Sequence, residues 1–207
     1  MLTIIDYSMG NLHSVANALT HLGEEWRISS RPEELDGADG MILPGVGAFP
    51  DAVDCLRSRG LFEAIKARAL AGTPLLGICL GMQLLFEYGN EHSRRAGLGL
   101  IPGEVVPIDG HGEKIPHIGW NSLAFTRGDF ILDGVPDGGY VYFVHSYRAD
   151  TAPENILCTT FYGESIPALV KGRGDIYGMQ FHPEKSHDVG LRLLGNFCKK
   201  AKKAGER

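Results

Sequence analysis

Apolar and polar positions alternate in blocks along the first 90 residues. Leu2-Thr3-Ile4-Ile5 is an apolar run too short for a helix, and it predicts a buried strand ending at Asp6. Asn11 then precedes an amphipathic stretch with Val15, Ala18, Leu19 and Leu22, closed by Gly23, which predicts a capped helix. Trp26–Ser29 and Gly40–Leu43 read as two more strands, the latter running into Pro44-Gly45-Val46-Gly47. Asp51–Arg59 and Leu61–Leu70 carry helical spacing. Pro74–Ile78 reads as a fourth strand, and Leu80–Tyr88 as a helix behind it. Strand alternating with helix predicts a parallel sheet covered on both faces.

The second half has a different pattern. Short β-rich segments, Glu104–Ile108, Ser122–Phe125, Tyr140–Tyr147, Asn155–Tyr162, Ala168–Lys171 and Ile176–Phe181, are separated by turn signals such as Asp109-Gly110 and Asp137-Gly138-Gly139. A final helix is predicted over Asp188–Lys203, with Val189, Leu193, Leu194 and Phe197 on one side. Neither a linker nor an internal repeat interrupts the 207 residues, so one domain over 1–207 is expected.

Composition narrows the function. The net charge is −5, and the one basic cluster, Lys199, Lys200, Lys202 and Lys203, sits where cations suit a helix end. No nucleic-acid role is expected. No apolar run approaches a membrane span and no secretory signal opens the chain, so neither a membrane partner nor export is expected. The four cysteines, Cys55, Cys79, Cys158 and Cys198, form no C-x-x-C pair. That argues against structural zinc and fits reduced thiols in the cytoplasm. The 28 glycines point to tight turns and close backbone approaches.

Gly77-Ile78-Cys79-Leu80-Gly81 carries the sharpest chemical signal. A nucleophile between two glycines, after a strand and before a helix, sits on a sharp turn that lifts its side chain above the sheet edge. A helix N-terminus there favours the thiolate, and the Leu80 N–H points to the same space as a candidate oxyanion donor. The other three cysteines read as core. A thiolate needs a proton carrier. His182, in Gln180-Phe181-His182-Pro183-Glu184, follows a strand and shares the same sheet edge. Pro183 keeps the chain extended, which aims Glu184 to the side of His182 and lets it fix the imidazole tautomer. His92, His111, His117 and His187 read as solvated loop residues, and His13 and His21 as ordinary helix residues. No third ligand accompanies His182 and His187, so no metal site is expected.

These motifs resemble the class I glutamine amidotransferase domain over essentially the whole chain. The resemblance implies a single-domain α/β fold, flavodoxin-like, with a mostly parallel central sheet, helices on both faces and extra β segments in the second half. Asp6-Tyr7-Ser8-Met9-Gly10-Asn11, Leu43-Pro44-Gly45-Val46-Gly47-Ala48-Phe49, Pro116-His117-Ile118-Gly119-Trp120-Asn121, Tyr142–Tyr147 and Gln180–Ser186 are similar to the glutaminase subunits of imidazole glycerol phosphate synthase. That similarity implies hydrolysis of L-glutamine through a Cys79 thioester, with His182 as proton carrier and Glu184 as its orienter. It places oxyanion and substrate contacts at Val46, Gly47, Leu80, Gln83, His145, Ser146 and Tyr147, and implies no cofactor. It further implies a β/α-barrel synthase subunit in a heterodimer, which takes the ammonia for histidine biosynthesis. Asn11, Trp120, Asn121, Tyr142 and Lys185 are the candidates for the shared face. Ser8 stands where that subunit usually has glycine, so a positive φ there would strain it. Two other readings stay open at this point. One is a related enzyme, such as another class I amidotransferase, a cysteine peptidase or a γ-glutamyl hydrolase. The other is a flavodoxin-like binding module in which Cys79 is structural.

Overall fold

The computed structural model describes residues 1–205. Three buried strands, β1 (Leu2–Ile5), β3 (Gly40–Gly45) and β4 (Leu75–Cys79), lie inside the main sheet, and the partly exposed β2 (Trp26–Ser29) forms its edge beside β1. Helices α1 (Leu12–His21), α2 (Phe49–Ser58) and α3 (Leu61–Leu70) connect them. The Asn11 side chain accepts from the Ser14 N–H at the start of α1, as its capping position predicts. Strand residues alternate between the two faces. Ile4, Ile42, Leu76 and Ile78 pack on one side; Ile5, Met41, Leu43 and Leu75 pack on the other, against α2 and α3. Burial on both faces is why β1, β3 and β4 read as apolar runs.

After Cys79 the chain departs from the predicted helix over Leu80–Tyr88. The helix α4 is a single turn (Leu80–Gln83), and β5 (Phe86–Gly89) follows it. Every residue from Leu80 to Phe86 is buried, so this segment has no polar face for a surface helix to present. β5 instead joins a second sheet, in the order β11-β7-β5-β6, with β6 (Arg95–Ala96), β7 (Ile101–Pro107) and β11 (Tyr147–Asp150).

Strand β8 (His117–Ser122) was not anticipated at these bounds. It pairs antiparallel with β10 (Tyr140–His145), and β9 (Ala124–Phe125) is a separate short strand. The predicted single strand Tyr140–Tyr147 is therefore two, β10 and β11, belonging to different sheets and meeting at Ser146. The main sheet is completed by β12 (Ile156–Tyr162), β13 (Glu164–Lys171) and β14 (Ile176–Met179), in the order β2-β1-β3-β4-β14-β13-β12-β9. Its five members from β2 to β14 run parallel, and the rest are antiparallel. The last helix, α5 (His187–Gly205), packs Leu193, Leu194 and Phe197 onto the face that also carries α1. The carboxyl ends of β3, β4 and β14 lie side by side, which brings Gly45, Cys79 and the segment after Met179 together.

Candidate functional site

Cys79 ends β4 with φ 54° and ψ −111°, a conformation that L residues adopt only when the surroundings impose it. Close packing imposes it here. A methyl group on Gly81 would lie on the Leu43 carbonyl oxygen, and one on Gly77 would sit 2.5 Å from the Gly81 carbonyl. The turn can form only because both positions lack a Cβ. Cys79 is 7% exposed and opens onto a cavity of about 350 Å³. The sulfur lies 3.8 Å from the Val144 carbonyl, and the Gln180 amide donates toward it at 3.9 Å. Because α4 is one turn long, its dipole is far smaller than a full helix would supply.

His182 and Glu184 reach the same place by a different local route from the predicted extended one. His182 itself is extended, but Pro183–Lys185 forms a 3-10 turn. The turn folds the Glu184 carboxylate back, so that His182 Nδ1 donates to Oε1 at 2.8 Å. Both side chains are almost fully buried. The other ring nitrogen, Nε2, has no hydrogen-bond partner among the described residues, and His182 lines the cavity with Cys79. Burial opposes a charge on this ring, but the Cys79 sulfur and the Glu184 carboxylate outweigh it and raise the imidazole to about 9. A raised imidazole beside a thiol, held in one tautomer by a carboxylate, can carry a proton to or from a reacting group at the sulfur.

Val46, Gly47, Leu80, Gln83, His145, Ser146 and Tyr147 all line this cavity, as the resemblance implies. Two of them do not present the groups expected of them. The Val46 N–H donates to the Met9 carbonyl at 3.1 Å, so it is not offered to the sulfur. The two amide hydrogens of Gln83 go to the Tyr147 carbonyl at 3.2 Å and to Gln180 Oε1 at 3.1 Å, so Gln83 ties one wall to another. Leu80 opens α4, a position whose N–H has no acceptor within the helix. Gly47 has φ +101°, and its bend carries the chain past the cavity mouth. His145 is buried, and that burial pushes it down to about 3.

Three residues of the site escaped the sequence reading. Gln180 is fully buried and bridges Gln83 and Cys79; its place two residues before His182 on the same strand exit was the available signal. Glu91 lines the cavity while its Oε2 accepts from the Phe49 N–H at 2.7 Å, which caps α2. Nothing local marks it, because it lies in a loop far along the chain from that helix. His117, read as a solvated loop residue, has no exposed surface and faces β10 from β8. Its apolar neighbours Ile118 and Trp120 are the exposed ones, at 57% and 43%, so the strand is turned the opposite way from a simple apolar-in reading.

The interface candidates cluster less tightly. Trp120 stacks on His187 at 5.0 Å and meets Tyr142 edge-on at 5.9 Å, and Lys185 lies over Tyr142. Asn121 follows Trp120 on β8, but its side chain turns to the opposite face, toward His117 and the Phe161 carbonyl. Asn11 sits apart as the cap of α1. Ser8 has φ +70°, so the strain expected of a serine at that position is present. The remaining thiols are unpaired. Cys158 and Cys198 are raised to about 12, chiefly by burial, which leaves them unreactive. Among the described residues no group of His, Cys, Asp and Glu could hold a metal ion, and no helix is long and apolar enough to cross a membrane.

Comparisons with known proteins bear on this site. A family profile described as Glutamine amidotransferase class-I matches residues 3–201. The chain is 52% identical over 202 residues to the imidazole glycerol phosphate synthase subunit HisH of Shouchella clausii, covering 95% of this chain and 97% of that relative. It is 50% identical over 197 residues to the subunit of the same name from Lactococcus lactis, covering 95% and 96%. Among solved structures, a glutamine amidotransferase superposes with a TM-score of 0.77 at 21% identity, covering 97% of this chain and 98% of that one. PurLQS from Thermotoga maritima superposes with a TM-score of 0.75 at 19% identity, covering 96% and 97%. At those identities the two structures speak for the fold alone.

Proposed function

We propose, for a chain that belongs to the class I glutamine amidotransferases and among them to the HisH subunits of imidazole glycerol phosphate synthase, that the pocket above Cys79 frees ammonia from L-glutamine for a synthase subunit. The observation that carries the reading is the meeting of Cys79, His182 and Glu184 in one cavity, with Nδ1 of the imidazole held by the carboxylate and Nε2 left for the sulfur.

The steps follow from that arrangement. The Cys79 thiolate attacks the carboxamide carbon, and the carbonyl oxygen becomes an oxyanion that takes backbone N–H groups beside the elbow. His182 delivers the Nε2 proton to the departing nitrogen; the C–N bond breaks and ammonia leaves. A γ-glutamyl thioester remains on Cys79. Water gives a proton to His182 and adds to the thioester, the C–S bond breaks, and glutamate departs. Glu184 keeps the imidazole in one tautomer throughout and offsets its charge. Glu91, with Oε2 on the Phe49 N–H, keeps its other oxygen for the substrate ammonium. The His145-Ser146-Tyr147 bend and Gly47 offer main-chain groups for the carboxylate end.

The partner reading is that of a heterodimer with a β/α-barrel synthase. The β8–β10 face supports it, because Trp120 and Tyr142 form a partly exposed aromatic cluster flanked by Lys185. Tryptophan and tyrosine in such a cluster are typical anchors. The amidotransferase domain is read as the whole of 1–207, and reduced thiols fit a cytoplasmic setting.

A glutamine-mimicking electrophile tests the site. With the synthase present, mass spectrometry should find one adduct on the peptide carrying Cys79, and Cys79→Ala should take none. Glutaminase activity that survives in Cys79→Ala would overturn the reading.

A further inference from the structure

His117 and His145 form a buried pair that takes no part in the chemistry above. His117 Nδ1 lies 3.0 Å from His145 Nε2. His145 Nδ1 lies 2.8 Å from the Tyr147 carbonyl oxygen, and His117 Nε2 lies 2.8 Å from Asn121 Oδ1. Asn121 Nδ2 in turn donates to the Phe161 carbonyl at 3.1 Å.

Both ends of this chain are carbonyl oxygens, which only accept. The Tyr147 end therefore requires a proton on His145 Nδ1. The Phe161 end points Nδ2 of Asn121 outward and Oδ1 inward, and so requires a proton on His117 Nε2. The central contact requires a third. Two neutral imidazoles hold two protons between them. The four ring nitrogens thus satisfy every contact only with three protons and one positive charge.

Burial acts against that charge. Phe143 stacks on His117 at 4.8 Å and Tyr162 at 4.0 Å. The ionisable groups in the adjoining cavity are His182 from the loop after β14, Cys79 from the elbow, and Glu91 and Tyr147 across it. Of these, His182 further disfavours a cation on His145. A neutral pair can still satisfy all its contacts if the Asn121 amide turns end for end. Nδ2 then donates to His117 Nε2, and the Phe161 carbonyl passes to water at the exposed end of the chain. In both states His117 Nδ1–H donates to His145 Nε2, and His145 keeps its Nδ1 proton on Tyr147.

We propose that His117 is a positioning residue for the substrate pocket, at the centre of a proton-coupled relay from Tyr147 to Asn121. Its donated proton fixes the His145 tautomer and with it the His145-Ser146-Tyr147 bend. The orientation of the Asn121 amide changes with the number of protons on the pair. The Asn121 side chain lies on the face of β8 opposite Trp120 and is only partly buried, so whatever pins its amide one way selects one protonation state beside the pocket. The part played by substrate rests on the glutamine reading above; the proton count does not.

Nitrogen NMR of the full chain labelled in its histidines tests the relay without substrate. Across about pH 5–9, the pair should pass from one bare ring nitrogen to two, with the Asn121 side-chain amide shifting at the same midpoint and His145 Nδ1 protonated throughout. Asn121→Asp, which can only accept at that position, should raise the midpoint by about one pH unit or more. His117→Phe should release the His145 tautomer and, with the synthase present, raise KM for glutamine about tenfold while kcat changes about twofold or less. A pair with two bare nitrogens across the whole range, or an Asn121 amide that stays still through the histidine transition, overturns the relay. So does a midpoint unmoved in Asn121→Asp. Failure of the glutamine reading would appear separately, as a wild-type Cys79 inert to the electrophile.

Discussion

The Val46 N–H donates to the Met9 carbonyl at 3.1 Å, and a planar peptide that points its N–H at Met9 turns its carbonyl end the other way. Gly45 pairs with Cys79 across β3 and β4, so this is the peptide beside the proposed nucleophile. An oxyanion forming on Cys79 would meet this peptide in the wrong orientation. One missing donor costs about 2.7–4 kcal/mol of transition-state stabilisation. The isolated chain should therefore hydrolyse glutamine about 10²- to 10³-fold more slowly than the complex with a synthase subunit in turnover. Steady-state glutamate release with and without that partner measures it, and equal rates would contradict it.

The raised imidazole makes a pH prediction with a definite sign. His182 stands at about 9, above its ordinary 6.5, because the sulfur and Glu184 outweigh burial. A group raised on folding contributes stability that is full below its unfolded value and is lost as pH rises through its folded value. Urea unfolding should show a contribution that is complete below about pH 6.5 and is lost as pH rises through about 9. In Glu184→Gln the imidazole loses one of the groups that raise it, and the fade should move to lower pH. An unchanged profile in that variant would argue against the pairing.

The elbow and the apolar strands of the first half were legible because their causes are local. Glycines flank Cys79, apolar runs are short, and His182 precedes a proline. What stayed hidden depends on long-range packing. Nothing local says that Leu80–Phe86 is buried on every side and so leaves the helix after Gln83. His117 sits in a strand whose exposed face is the apolar one, which inverts the usual pattern. The Val46 peptide orientation is set by Met9, a residue brought in from the loop after β1.

The positive φ at Ser8 predicts a gain from glycine. Ser8→Gly should stabilise the chain by about 1 kcal/mol, the cost of a left-handed residue with a Cβ. The Arg59 contact at 2.5 Å to the Ser8 hydroxyl is lost in both Ser8→Gly and Ser8→Ala, so Ser8→Ala serves as the control and should give no gain. Denaturant midpoints of the two variants decide it.

Gly81 predicts a change of opposite sign. Its missing Cβ makes room for the Leu43 carbonyl, which is rigid backbone in β3. Gly81→Ala should cost on the order of 3 kcal/mol and distort the Cys79 turn. The unfolding midpoint and electrophile labelling should fall together.

The aromatic cluster on β8 and β10 predicts a loss of binding without loss of fold. Trp120→Ala should weaken affinity for the synthase by about 2 kcal/mol, roughly 30-fold, while stability changes by about 1 kcal/mol or less. Titration calorimetry and thermal unfolding of the same preparation separate the two effects.

The most direct measurement is an acid quench of the complex during glutamine turnover, followed by intact and peptide mass spectrometry. One γ-glutamyl group should be found on the peptide carrying Cys79, and it should persist longer in Glu184→Gln, where the imidazole is less well oriented to activate water. Rapid glutamine turnover with no adduct on Cys79, or an adduct on any other residue, would contradict thioester chemistry at this cysteine.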